Sequence, residues 1–130
     1  MKRSAFLRPL SREHHAALSL ARDCERAARS GEAAKIEHAC QRALRDFLLE
    51  HDRHFATEER TLLPLLQEAE TQPLVQRTLD DHRRLRGLLD GLRQCDAEAL
   101  RSFGKCLADH VRFEERELFP ALERLPGFPA

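Results

Sequence analysis

The chain has 130 residues, with 22 basic against 22 acidic side chains and zero net charge, so no global field attracts nucleic acid or an anionic membrane surface. Its longest apolar runs, such as residues 62–66, fall far short of the roughly 20 needed to cross a bilayer. Tyr and Trp are absent, which excludes tyrosyl-radical chemistry, and Cys24, Cys40, Cys95 and Cys106 form no C-x-x-C pair and read as reduced thiols of a cytoplasmic chain.

A chain of this size buries roughly two thirds of its unfolded surface, and we read residues 1–130 as a single domain with a core from about 10 to 125. Met1 to Leu10 carry Lys2, Arg3 and Arg8 and do not read as a secretory leader. Ala, Leu, Arg and Glu fill the stretches between sparse Gly and Pro, the composition of an all-α chain. The first helix is expected from Ser11, as N-cap, to about Ser30, with Gly31 ending it. A second runs from about Glu32 toward Pro64, bending there into Gln67. A third starts near Thr71, with Pro73 in its first turn, and ends around Gly91. The fourth takes Asp96 as its cap and reaches Pro120 or slightly past it. Four helices with short connections predict an up-down-up-down four-helix bundle.

The apolar positions recur at three- and four-residue steps, and each stripe carries a histidine. On the first helix the stripe includes Leu10, His14, Ala17 and Ala21. On the second it includes Cys40, Leu44, Phe47, His51, His54, Glu58, Leu62 and Leu65. The third has Val75, Leu79, His82, Leu85 and Leu89, and the fourth Phe103, Leu107, His110, Glu114 and Leu118.

Residues 54–66 (HFATEERTLLPLL) and 110–122 (HVRFEERELFPAL) are identical at seven of thirteen positions, in the frame H-x3-E-E-R-x-L-x-P-x-L. Residues four apart share one helix face, so His54 with Glu58, and His110 with Glu114, each present an imidazole and a carboxylate to the same volume. His14 and His82 complete the set from the other two helices. Two inward glutamates in an apolar bundle are costly unless they take up protons or meet cations, and the only lysines are Lys2, Lys35 and Lys105. A pair of divalent metals would satisfy both carboxylates and all four imidazoles, and the mixed donor set suits iron, manganese or zinc. The alternative is that these are polar residues at helix edges and that the repeat records an old helix duplication.

These residues resemble the hemerythrin-like domains, the HHE cation-binding family, in the succession Glu13-His14, His54 to Glu58, Asp81-His82 and His110 to Glu114. The resemblance spans roughly Leu10 to Leu125. It implies a bundle around a non-haem di-iron centre in the core, with Glu58 and Glu114 bridging, His14 and His54 on one iron, and His82 and His110 on the other. It further implies O2, peroxide or NO as small ligands, in redox chemistry, gas sensing or iron handling, with a redox or signalling protein as partner. Two departures stand out. Arg86 occupies the place where the oxygen-carrying members have a further histidine, and the last helix has a shorter His-to-Glu spacing. Four histidines instead of five predict an open position on the iron of His82 and His110, which favours reaction over carriage of a ligand.

Other residues carry plainer expectations. His51 lies one turn before His54 and is either a fifth ligand or a packed, hydrogen-bonded residue, the latter favoured because its counterpart is Leu107. His15 points about 100° away from His14, and His38 falls among charged positions. Glu59 and Glu115 turn off the site face and are expected to pair with Arg60, Arg116 or other helices. Arg86 is expected in a salt bridge, Cys24, Cys40 and Cys106 in the core, and Phe47, Phe55, Phe103, Phe113 and Phe119 around the metals. After Leu125 no output domain follows in this sequence, so a signal would leave through chemistry or a partner. A module with structural metal, or an iron-responsive one without redox chemistry, is the competing functional reading.

Overall fold

The computed structural model describes residues 3–130; Met1 and Lys2, which belong to the segment read above as lacking a leader, lie outside the described residues. Helix α1 is Arg8–Ser30. Helix α2 spans residues 33–65 and is built from the α-segments Ala33–Asp46 and Asp52–Thr57, the wide π-turns Phe47–His51 and Glu58–Leu62, and a closing 3-10 turn, Leu63–Leu65. Helix α3 spans residues 72–93, as Gln72–Gly87 and Leu89–Arg93 with a break at Leu88. Helix α4 spans residues 97–123, with Ala97–Phe113, a π-turn at Glu114–Leu118 and Phe119–Glu123. There is no strand among the described residues. The four helices form the expected up-down-up-down bundle, with α1 packed against α2 and α4, and α3 against the same two.

The helix ends follow local chemistry. Gly31 closes α1 in the left-handed region, φ +68°, where a side chain would be strained. Asp96 caps α4 by accepting from the Glu98 N–H at 3.3 Å. The expected start at Ser11 is corrected: α1 opens three residues earlier, at Arg8. Pro9 supplies a preset φ in the first turn, and the backbone carbonyl of Ser4 accepts from the N–H groups of Leu7 and Arg8 at 3.1 and 3.0 Å. Ser11 is thereby free to donate its hydroxyl to Glu115 at 2.7 Å.

The π-turns at Glu58–Leu62 and Glu114–Leu118 precede Pro64 and Pro120 in the same register. A proline ring clashes with the carbonyl four residues back and offers no N–H; a wide turn relieves the clash. The shift also corrects the expected inward stripe. Leu65 is left 47 % exposed, while Leu63 and Leu66 are buried, and α2 closes at Leu65 before reaching Gln67.

Apolar packing falls into two clusters. One gathers Ala17, Leu20, Ala21, Cys24, Phe47, Phe55, Leu85, Phe103 and Leu107; the other gathers Leu7, Leu10, Leu62, Leu63, Phe113, Leu118 and Phe119. On every helix the singled-out polar residues lie between the two: His14 between Leu10 and Ala17, His54 and Glu58 between Phe47 and Leu62, His82 just before Leu85, and His110 and Glu114 between Leu107 and Leu118. A polar layer therefore crosses the middle of the bundle.

Candidate metal centre

All six predicted site residues meet in that layer. Glu58, Glu114 and His82 are fully buried, and His14, His54 and His110 nearly so. Their donor atoms form two groups, each within 4.8 Å: His14, His54, Glu58 and Glu114, and Glu58, His82, His110 and Glu114. Both carboxylates belong to both groups. The Glu58 oxygens lie 3.0 Å from the Nε2 atoms of His54 and His82, and the Glu114 oxygens lie 2.8 Å from His14 Nε2 and 3.1 Å from His110 Nε2. At 3.1 Å the last pair is close but misaligned, and His110 Nε2 and Glu114 Oε2 are buried without a hydrogen-bond partner. Orphaned buried polar atoms of this kind are rare and costly. Lone pairs of two imidazoles and two carboxylates converging on one point are what a borderline divalent cation takes, so the residues fit a metal pair.

The other nitrogen of each of the four cluster imidazoles is spoken for by a carboxylate from a neighbouring helix. Glu13 of α1 meets His54 of α2 at 2.7 Å, Glu59 of α2 meets His82 of α3 at 2.6 Å, Asp81 of α3 meets His110 of α4 at 2.8 Å, and Glu115 of α4 meets His14 of α1 at 2.6 Å. The ring closes on itself. With Nδ1–H donated outward, each Nε2 lone pair is turned to the cluster, and the carboxylate raises the basicity of the ring. Three members are held in turn by other side chains: Glu59 by Arg86 at 2.9 Å, Asp81 by Arg77 at 3.0 Å, and Glu115 by Ser11 and, at 3.4 Å, by Arg3.

Burial and mutual charge set the protonation of the ring without metal. Burial and the neighbouring Glu114 charge push Glu58 up. Burial acts the same way on Glu114, but the His110 charge and hydrogen bonds hold it well below the usual carboxylate range. Desolvation opposes charge on the histidines and is outweighed by the carboxylates, which carry His54 to about 11 and His110 to about 10 and raise His14. Burial likewise opposes Glu59, Asp81 and Glu115, and their histidine hydrogen bonds still hold them low. His51 behaves oppositely: burial lowers it to about 4, with the His54 charge adding to the effect.

Several subsidiary expectations meet the structure here. His51 is buried yet lies outside both donor groups. His15 and His38 are exposed. Glu59 and Glu115 pair across helices, whereas Arg60 and Arg116 stay on the surface. Arg86 is in ion pairs with Asp52 and Glu59. All five phenylalanines are buried; Phe119 stacks on His14 at 5.2 Å, Phe55 on His82 at 3.9 Å and Phe113 lies beside His110, whereas Phe47 and Phe103 pack on each other in the adjoining apolar cluster. The Phe55 contact covers a ring face of His82, while free space adjoins His14, His54 and His110. Cys24 and Cys40 are core residues, and burial pushes the Cys24 thiol up to about 12. The partners of the imidazoles went unassigned in the sequence, although an acidic residue beside each of His14, Glu58, His82 and Glu114 was their signal.

Fold and site together define a helical bundle with a buried cation-binding cluster. The family model described as the hemerythrin HHE cation binding domain matches residues 5–127, and the chain belongs to that family. Comparison with curated proteins and with solved structures returns no match.

Proposed function

We propose that the chain binds two iron ions between its four helices and uses them on a small ligand: O2, peroxide or NO. His14 and His54 would hold one ion, His82 and His110 the other, and Glu58 and Glu114 would bridge. The observation that carries this reading is that both carboxylates are shared by both donor groups. An iron pair, when bound, supplies electrons and an open coordination position. The residues do the rest. Glu13, Glu59, Asp81 and Glu115 fix the imidazoles and accept their Nδ1 protons, while Phe55, Phe113 and Phe119 exclude bulk water from the layer. Manganese or zinc suits the same donor set. Cysteines without a C-x-x-C pair fit a reducing, cytoplasmic setting, and electrons or signal would pass to a partner protein.

The deciding experiment is elemental analysis of protein purified from iron-supplemented cells without a chelating tag, beside the His54→Ala/His110→Ala double variant. Two irons per chain, lost in the variant, is the expected result. Metal unchanged in the variant removes the site. A colour change when the reduced protein meets oxygen or NO supports the redox reading; a colourless, zinc-only protein supports a structural metal instead.

A further inference from the structure

The motif repeat relates the two halves of the cluster, but the side chains flanking it break that relation in one direction. Three residues after His14 and His82 stand Ala17 and Leu85. One residue after His54 and His110 stand Phe55 and Val111, and three residues before them His51 and Leu107. The larger members, Leu85 and Phe55, are buried, and Phe55 covers His82. Beside Ala17 and Val111 about 10 Å³ of free space remains, lined also by His14, His51, His54, His110 and Phe55. That is roughly the threshold for one water-sized molecule. That limits any occupant to about the size of one water and excludes an organic substrate.

Most polar groups on this wall are already engaged. The three cluster histidines have their Nδ1 atoms on carboxylates, and Glu13 accepts from His54. His51 is the exception. It is 5 % exposed, makes no hydrogen bond among the described residues, and ends the Phe47–His51 π-turn. No proline accounts for that wide turn, and α4 passes the equivalent stretch as unbroken α-helix; isolated π-turns concentrate at functional sites. We propose that His51 is a positioning residue whose imidazole N–H donates a hydrogen bond to a ligand of about water size held in this cavity beside His14 and His54. The proposal rests on the metal-centre reading above.

Nitric oxide on the ferrous-loaded chain is the probe. His51→Leu, which copies Leu107 of the other half, should keep its iron and release NO about tenfold faster, the loss of one ordinary hydrogen bond, while His51→Gln, which retains a donor, should return to within about twofold of wild type. The N–O stretching band should shift in His51→Leu and recover in His51→Gln, which a packing role would not produce. Unchanged release and an unchanged band in iron-replete His51→Leu overturn the proposal. So does loss of iron from that variant, which would make His51 a ligand. A wild-type chain without iron would instead remove the reading on which the proposal rests.

Discussion

At the scale of residues, a buried carboxylate persists only where protons or cations answer it. Glu58 and Glu114 are fully buried, and both are met by imidazoles whose own rings are steered by a further carboxylate. The outer carboxylate does as much for the site as the inner one, because it decides which ring nitrogen carries the proton. Asp81 shows this most simply: it accepts from His110 at 2.8 Å and is itself steadied by Arg77. Asp81→Asn keeps the shape and removes the charge. We expect it to weaken metal binding about 10- to 100-fold with the fold unchanged, measured by chelator competition beside circular dichroism. Equal affinity in the variant would mean that His110 does not depend on Asp81 for its orientation.

At the scale of elements, the helices are ordinary in composition and unusual in register. Each motif proline sits six residues after its glutamate, and each has a wide turn in front of it. Pro120 offers no N–H, and the Glu115 carbonyl five residues back accepts instead from the Arg3 guanidinium at 3.1 Å. Arg3 thus ties the start of the described chain to α4, where Glu115 holds His14. The seam between α1 and α4 is equally tight. A Cβ on Gly104 would lie 2.8 Å from the Ala21 carbonyl oxygen and 2.9 Å from Glu25 Cγ. Gly104→Ala would gain up to about 1 kcal/mol of helix propensity but force two backbones apart, an overpacking cost of about 1–3 kcal/mol. A net loss is expected, read as a fall in Tm of a few degrees in thermal denaturation. A rise would show that α1 can shift without strain.

At the scale of the whole molecule, the polar layer divides one bundle into two apolar clusters, and metal filling that layer is expected to stabilise the fold. Without metal, His54 at about 11 and His110 at about 10 are protonated at neutral pH. Because these values exceed the ordinary 6.5, the stability those protons confer is full below pH 6.5 and is lost as pH rises through 10 to 11. Metal must displace the same protons, so its affinity rises by about tenfold per unit of rising pH for each proton released. The rise in Tm on adding metal should therefore be larger at pH 8 than at pH 6 and absent in the His54→Ala/His110→Ala variant; a pH-independent rise would show that no proton is exchanged. Much of this was legible in the chain itself. Helical periodicity is local, so residues four apart share a face whatever surrounds them; the six inward residues follow from that spacing, and the helices and the bundle from composition, end signals and short connections. The start of α1 was not legible, because its first turn leans on the Ser4 carbonyl rather than on the expected Ser11 cap. Nor was the exposure of Leu65, since a π-turn displaces everything after it. The ring of carboxylates running from each helix to the next depends on which helices are neighbours and how each is rotated, and the cavity at His51 depends on side-chain volumes contributed by three different helices. Sequence by itself determined which side chains face inward; only the tertiary structure decided which of them meet, because contacts between helices are set by packing and not by spacing along the chain.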